Sequence, residues 1–147
     1  MANIARIGRS IVLALSLLAL PTGSINAANA APTGAWTKVA TNPQTKLAYY
    51  IDRATLKKQP GFSYFWVYIN SSTGQTLGVE KKVPIYGVAA YMSADCRKAN
   101  MRIRSVELIN QQGKQIDTDN RGDRGPLLQF DQQNPVGRAV LKYVCPR

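Results

Sequence analysis

The strand-like segment of residues 62–69 constrains the fold most, because it is apolar on both faces. Alternate residues of a β-strand point to opposite sides of the sheet. One side carries Phe62, Tyr64, Trp66 and Tyr68, and the other carries Phe65, Val67 and Ile69. A strand of this kind is typical of the middle of a sheet, covered on both sides. The sequence therefore predicts a sheet built around this segment.

Further strands are indicated by alternation or composition at residues 36–40, 47–51, 88–92, 101–110 and 115–117. In the fourth of these, Met101 and Ile103 are out of phase with Val106 and Leu108. One extra residue restores the phase, so we expect a β-bulge near Ser105. Together the segments predict a single antiparallel sheet of about five or six strands.

The C-terminal segment changes to a helical period. Asn134 is a favourable N-cap residue and Pro135 suits the first helical position. The apolar residues then follow helical spacing: Val136, Ala139, Val140, Tyr143 and Val144. The predicted fold class is α+β, with this helix packed on the sheet.

The N-terminus has the pattern of a secretory signal peptide. Arg6 and Arg9 precede an apolar run at residues 11–20, and residues 28–30 form an A-x-A cleavage site. The run of about ten residues is too short to cross a bilayer, which takes roughly twenty. We expect cleavage near Ala30, a single domain at residues 31–147, and a periplasmic or secreted protein with no transmembrane segment.

Two cysteines, Cys96 and Cys145, remain in the exported domain. In an oxidising compartment an even number of cysteines indicates a disulfide, and two allow one intramolecular pairing. Neither residue lies in a C-x-x-C motif, so a structural bond is favoured over redox catalysis. Free thiols and an intermolecular bridge are the alternatives.

Charge and composition limit the functions available to the chain. It contains no histidine, which excludes histidine-dependent nucleophilic sites and histidine metal ligands. Without Arg6 and Arg9, 17 Lys and Arg face 8 Asp and Glu, a net charge of +9. This charge favours acidic envelope or host extracellular components as partners. The alternative is that the charge only keeps the protein soluble. We expect no cofactor, no metal and no specific nucleic acid.

The acidic segment at residues 117–123 resembles two known motifs. Asp117, Asp119 and Gly122 fit the first, third and sixth positions of a calcium-binding loop. Arg121 and Leu128, however, occupy the fifth and twelfth positions, where metal ligands are needed. The tripeptide Arg121-Gly122-Asp123 is of the integrin-binding type, and the sequence does not decide whether it functions. A hydrolase with paired carboxylates is a further alternative, with Asp117, Asp119 and Asp123 as its first candidates.

The candidate binding surface combines three aromatic residues with two arginines. Tyr64, Trp66 and Tyr68 share one side of the predicted central strand, and Arg102 and Arg104 lie on another strand. Aromatic rings beside cations stack on sugar rings or bases. The alternative is that the aromatic side chains belong to the hydrophobic core.

Several segments together resemble the surface-adhesin protein E-like domains. The matching residues are Trp36-Thr37-Lys38-Val39, Tyr49-Tyr50-Ile51-Asp52 with Leu56, Phe65-Trp66-Val67, Asp95-Cys96 with Arg102-Ile103, and residues 134–137 with 141–145. The resemblance covers nearly all of residues 31–147 and is a dispersed pattern. Two departures are a missing lipid-anchoring cysteine and Phe130, after Gln129, in place of the usual tryptophan.

The resemblance implies a small exported bacterial domain with an antiparallel sheet, one helix and one disulfide. The family's named member is a surface lipoprotein that binds host extracellular-matrix and plasma proteins. We therefore expect a non-enzymatic, adhesin-like binding protein whose ligand the sequence does not specify. The alternative is a structural or stress-related periplasmic protein with no dedicated ligand.

Overall fold

The computed structural model describes residues 32–129 and 134–145. The predicted signal peptide and Phe130 lie outside these ranges. The elements described are β1 (Trp36–Thr41), β2 (Leu47–Asp52), β3 (Lys57–Gln59), β4 (Phe62–Ser71), β5 (Gly78–Glu80), β6 (Val83–Ile85), β7 (Gly87–Asp95), β8 (Asn100–Ile109), β9 (Gln115–Asn120), a 3₁₀ turn (Gly122–Arg124), β10 (Leu127–Gln129) and α1 (Pro135–Val144).

Eight of these strands form one antiparallel sheet. Its order is β1-β2-β4-β7-β8-β10, with β3 beside β4 and β9 beside β8. Strands β5 and β6 form a separate two-stranded sheet. The prediction of a single sheet of five or six strands was therefore wrong in the number of strands and of sheets. The short strands β3 and β10 enlarge the main sheet, and β5 and β6 form the second one. Each has three residues, too few to show a period of two.

The strand predicted to be central is central. β4 pairs with β2 on one side and with β7 on the other. The bulge predicted near Ser105 is also confirmed, since Tyr91 pairs with Ser105 and Met92 pairs with Ile103. Arg104 is thus the extra residue of β8, and it restores the alternation of the strand.

The predicted helix is confirmed in its bounds and its cap. The side chain of Asn134 accepts a 2.9 Å hydrogen bond from the backbone N–H of Gly137, which satisfies one of the free donors of the first turn. Val136, Val140 and Val144 are buried. Within residues 32–129 and 134–145, no helix is long and apolar enough to cross a membrane.

One face of the large sheet packs against α1 and is called here the helix face. Its buried residues form the main hydrophobic core: Ile51, Phe65, Val67, Ala90, Met92, Ala94, Met101, Val140 and Val144. They come from five elements that are distant in sequence. The helix face therefore supplies a core without the aromatic residues of the candidate surface.

The predicted disulfide between Cys96 and Cys145 is present. Cys96 follows β7 and Cys145 follows α1, and their Cα atoms are 5.6 Å apart. The bond fastens the end of the helix to the end of a central strand. There are no free cysteines among the described residues.

Candidate functional site

The face of the sheet opposite α1 is lined by aromatic side chains and is called here the aromatic face. Alternation along β4 directs Tyr64, Trp66 and Tyr68 to it, while Phe65 and Val67 point to the helix face. The cross-strand register then brings neighbours from other strands: Tyr91 lies opposite Trp66, and Tyr50 lies opposite Tyr68. The sequence predicted the shared side of β4, but these partners depend on strand order.

The rings of the aromatic face contact one another in two groups, one around Tyr68 and the other formed by Trp66 and Tyr91. The ring centroids of Trp36 and Tyr68 are 5.4 Å apart, those of Tyr50 and Tyr68 are 6.1 Å apart, and those of Trp66 and Tyr91 are 5.4 Å apart. Tilted pairs at such distances are favourable aromatic contacts. These contacts restrain the positions of the rings.

Burial divides the aromatic face into a packed centre and an accessible margin. Trp66 and Tyr91 are each 3% exposed, whereas Trp36, Tyr64 and Tyr68 are half-buried. Trp66 is therefore a core residue, as the alternative interpretation held. Burial also raises the pKa of Tyr68 and of Tyr91, so both phenols keep their protons at neutral pH.

Arg104 reaches the aromatic face through the β-bulge. Its guanidinium carbon lies 5.6 Å from the centre of the Tyr64 ring, within the range of a cation–π contact. One guanidinium nitrogen donates to the Asp123 carboxylate at 2.7 Å and another to the Ser93 hydroxyl at 3.4 Å. With 15% of its side chain exposed, Arg104 holds the 3₁₀ turn against the sheet and has its charge matched by Asp123.

Arg102 lies two residues earlier on β8, beside a small cleft at one end of the aromatic face. Its guanidinium donates a 2.6 Å hydrogen bond to the carbonyl of Gly125. The cleft has a volume of about 180 Å³. Its lining residues are Phe62, Ser93, Asp95, Lys98, Asn100, Arg102 and Leu127.

The five residues of the predicted surface are thus arranged as two neighbouring groups. Arg104 joins Tyr64 directly, and Trp66 and Tyr68 continue along the same strand. Arg102 belongs instead to the cleft. Sequence reasoning missed Lys98 and Leu127, because a turn and a three-residue strand bring them to the cleft.

The acidic segment after β8 is used in ion pairs. Asp117 pairs with Lys81 at 2.9 Å, Asp119 with Arg121 at 2.6 Å, and Asp123 with Arg104 at 2.7 Å. Each carboxylate thus has a different cation as its partner, an arrangement that does not suit a paired-carboxylate site. Both charged residues of the Arg-Gly-Asp tripeptide are in ion pairs as well. No cluster suited to a metal ion occurs in the part of the chain that the structure describes.

A second cavity, of about 300 Å³, lies between the helix face and α1. Its walls are mainly apolar and include Tyr49, Ile69, Met92, Ile103 and Val140. Among its described lining residues none is charged. It offers no counter-ion to the acidic partners that the net charge favours.

Comparisons with known proteins agree with this architecture. The family model for surface-adhesin protein E matches residues 36–146 of the chain. The fold is similar to crystal form II of Haemophilus influenzae protein E, with a TM-score of 0.54 and 14% identity over 78% of this chain and 93% of that one. Another structure of Haemophilus influenzae protein E gives a TM-score of 0.52 and 13% identity over 80% and 86%. No curated protein matches the chain.

Proposed function

The chain belongs to the surface-adhesin protein E family, and from this premise we propose that it is an exported, non-enzymatic binding protein that attaches to acidic envelope or host components. The proposal includes removal of a signal peptide near Ala30. Residues 31–147 then form a single domain in the periplasm or outside the cell. The binding surface is the aromatic face together with the cleft beside Arg102.

One observation carries this proposal: the aromatic face lies opposite the helix-covered core. The sheet has its main core on the helix face, yet it also has half-buried Trp36, Tyr64 and Tyr68 on the other. Aromatic side chains that are partly accessible and held in fixed positions are typical of binding surfaces. Arg102, alongside in the cleft, supplies a positive charge that an acidic partner requires.

Heparin chromatography of the mature protein, purified from its exported fraction, tests the electrostatic part. We expect retention that falls steeply between low and physiological salt, because exposed charges are screened over about 8 Å at physiological ionic strength. Arg102→Gln should elute earlier than the wild type. The matched control is Arg138→Gln, which removes the same charge from an exposed position on α1.

Three outcomes would contradict parts of the proposal. Equal retention of the Arg102→Gln and Arg138→Gln variants would mean that net charge alone is responsible. Envelope extracts that yield no saturable partner would favour the structural or stress-related alternative. If N-terminal sequencing of the protein from cells shows that residues 1–30 are still present, removal of a signal peptide is refuted.

A further inference from the structure

We propose that the cleft between Phe62 and Leu127 binds a carboxylated sugar of the uronic-acid or sialic-acid type. This inference rests on the proposed function, since it specifies the chemical group of the acidic partner that the surface recognises. It concerns one monosaccharide within a longer glycan. The remaining sugars would extend along the aromatic face toward Tyr64.

The cleft is built on paired strands, so its side chains have fixed positions. Phe62 pairs with Asp95, and Asp95 pairs with Asn100 on the next strand. In the adjacent row, Ser93 pairs with Arg102, and Arg102 pairs with Leu127. Sites on strands hold their geometry better than sites on loops.

Arg102 supplies the group that recognises the carboxylate. A guanidinium has five N–H donors, and in this structure one of its nitrogens binds the carbonyl of Gly125. Within residues 32–129 and 134–145 it forms no ion pair, in contrast to Arg104. Its remaining donors match the two oxygens of a carboxylate.

Asp95 indicates that the ligand also carries hydroxyl groups. One oxygen of its carboxylate accepts hydrogen bonds from the backbone N–H groups of Arg97 and Lys98, at 3.0 and 3.1 Å. The other oxygen has no hydrogen bond within the described ranges. A carboxylate accepts and cannot donate, so it favours a ligand with O–H groups over a fully ionised phosphate or sulfate, which has no O–H group to donate.

Two exposed apolar side chains form the walls of the cleft. Phe62 is 38% exposed and Leu127 is 44% exposed, which is unusual for large hydrophobic residues in this structure. Exposed apolar groups beside convergent polar groups are typical of small-molecule sites. A sugar ring has both an apolar C–H face and a hydroxyl edge, as the cleft requires.

Titration of the mature protein with glucuronic acid and with N-acetylneuraminic acid, followed by NMR, tests the proposal. We expect saturable shifts of the backbone amides of Phe62, Arg102 and Leu127, with glucose giving none. Inorganic sulfate and an acidic peptide are the competing probes. Tighter binding of either one at the same amides would overturn the proposal.

Two variants separate the roles of the charged groups. Arg102→Gln should weaken glucuronic acid binding about tenfold or more, because it removes a charge-assisted hydrogen bond. Asp95→Asn keeps an oxygen for the backbone N–H groups but replaces the second acceptor with a donor. It should weaken sugar binding while leaving sulfate binding equal or stronger, and a loss of both would overturn the assignment.

Arg138→Gln on α1 is the matched control and should bind glucuronic acid as the wild type does. Thermal unfolding of each variant shows whether the fold is retained. If the sugars fail to bind but heparin retention still depends on Arg102, this inference is wrong and the proposed function stands. If heparin retention is also independent of Arg102, the proposed function fails as well.

Discussion

The side-chain hydroxyl of Ser63 donates a 2.7 Å hydrogen bond to the backbone carbonyl of Val144. Ser63 is the second residue of the central strand, and Val144 ends the helix, where carbonyls have no partner within the helix. Both residues are fully buried. This bond therefore joins α1 to the sheet next to the disulfide, at a place that water does not reach.

Replacing Ser63 by alanine should destabilise the protein by about 1–3 kcal/mol, because it leaves a buried carbonyl without its donor. Urea unfolding measures the loss. The matched control is Ser72→Ala, which removes a 2.8 Å bond to the carbonyl of Lys46 at an exposed position. Similar losses in the two variants would contradict the importance of burial.

Removal of the disulfide should cost about 4 kcal/mol, since the bond closes a loop of 49 residues in the unfolded chain. The double variant Cys96→Ala, Cys145→Ala, compared with the oxidised wild type in urea, provides the measurement. The wild type under reducing conditions should lose a similar amount. A loss below about 1 kcal/mol would mean that the unfolded state is already compact.

Asp52 anchors the start of the described chain. It is fully buried, and its carboxylate accepts hydrogen bonds from the Thr33 hydroxyl at 2.8 Å and from the Ala54 N–H at 3.0 Å. Asp52→Ala should cost about 2–3 kcal/mol, because it removes several hydrogen bonds that a buried carboxylate accepts. Thr33→Val, which removes one donor, should cost less. Amide hydrogen exchange at Ala54 distinguishes the two, since Asp52→Ala alone should accelerate it.

Glu107 lies opposite Ala89, and burial raises the pKa of its carboxyl above the ordinary value of 4.5. The folded state then holds the proton more tightly, so stability falls as the pH rises from the unfolded pKa through the folded one. Glu107→Gln should therefore stabilise the protein at pH 7 by less than about 1 kcal/mol, the group being partly exposed. Urea unfolding near pH 3 should show no such gain, and an equal gain at both pH values would implicate packing instead of charge.

Gly87 makes room for the ring of Tyr68. A Cβ atom at this position would overlap the ring and the hydroxyl oxygen of Tyr68, far inside van der Waals contact. Gly87→Ala should thus displace the ring and cost about 1–3 kcal/mol. Near-ultraviolet circular dichroism and urea unfolding report the change. In a double-mutant cycle with Tyr68→Ala, the two losses should be less than additive, whereas full additivity would refute the clash.

Local pattern predicted the long elements of this fold. The two-sided apolar run of β4 placed it at the centre of the sheet, and the phase change in β8 located the bulge at Arg104 within one residue. The cap at Asn134 located the helix. Each of these signals lies within one contiguous segment, so no knowledge of partners was needed.

The short strands and the cleft depend on pairing between distant segments. β3 and β10 each have three residues, and they are strands because β4 and β8 bind them. Phe62 and Leu127 line the same cleft only because β4, β7, β8 and β10 pair in one particular register. No local period carries that information, which is why the strand count was wrong and part of the cleft was missed.

The disulfide has a mechanical consequence if the domain is stretched. When the ends of the domain are pulled apart, the 49-residue loop between Cys96 and Cys145 cannot be extended. At about 3.3–3.6 Å per residue, the bond withholds roughly 160–180 Å of contour length from the stretched chain. Five elements, β8, β9, the 3₁₀ turn, β10 and α1, lie inside that loop. A pulling force therefore unfolds and extends the strands before Cys96. The segment between the two cysteines carries no load, because the force passes through the disulfide.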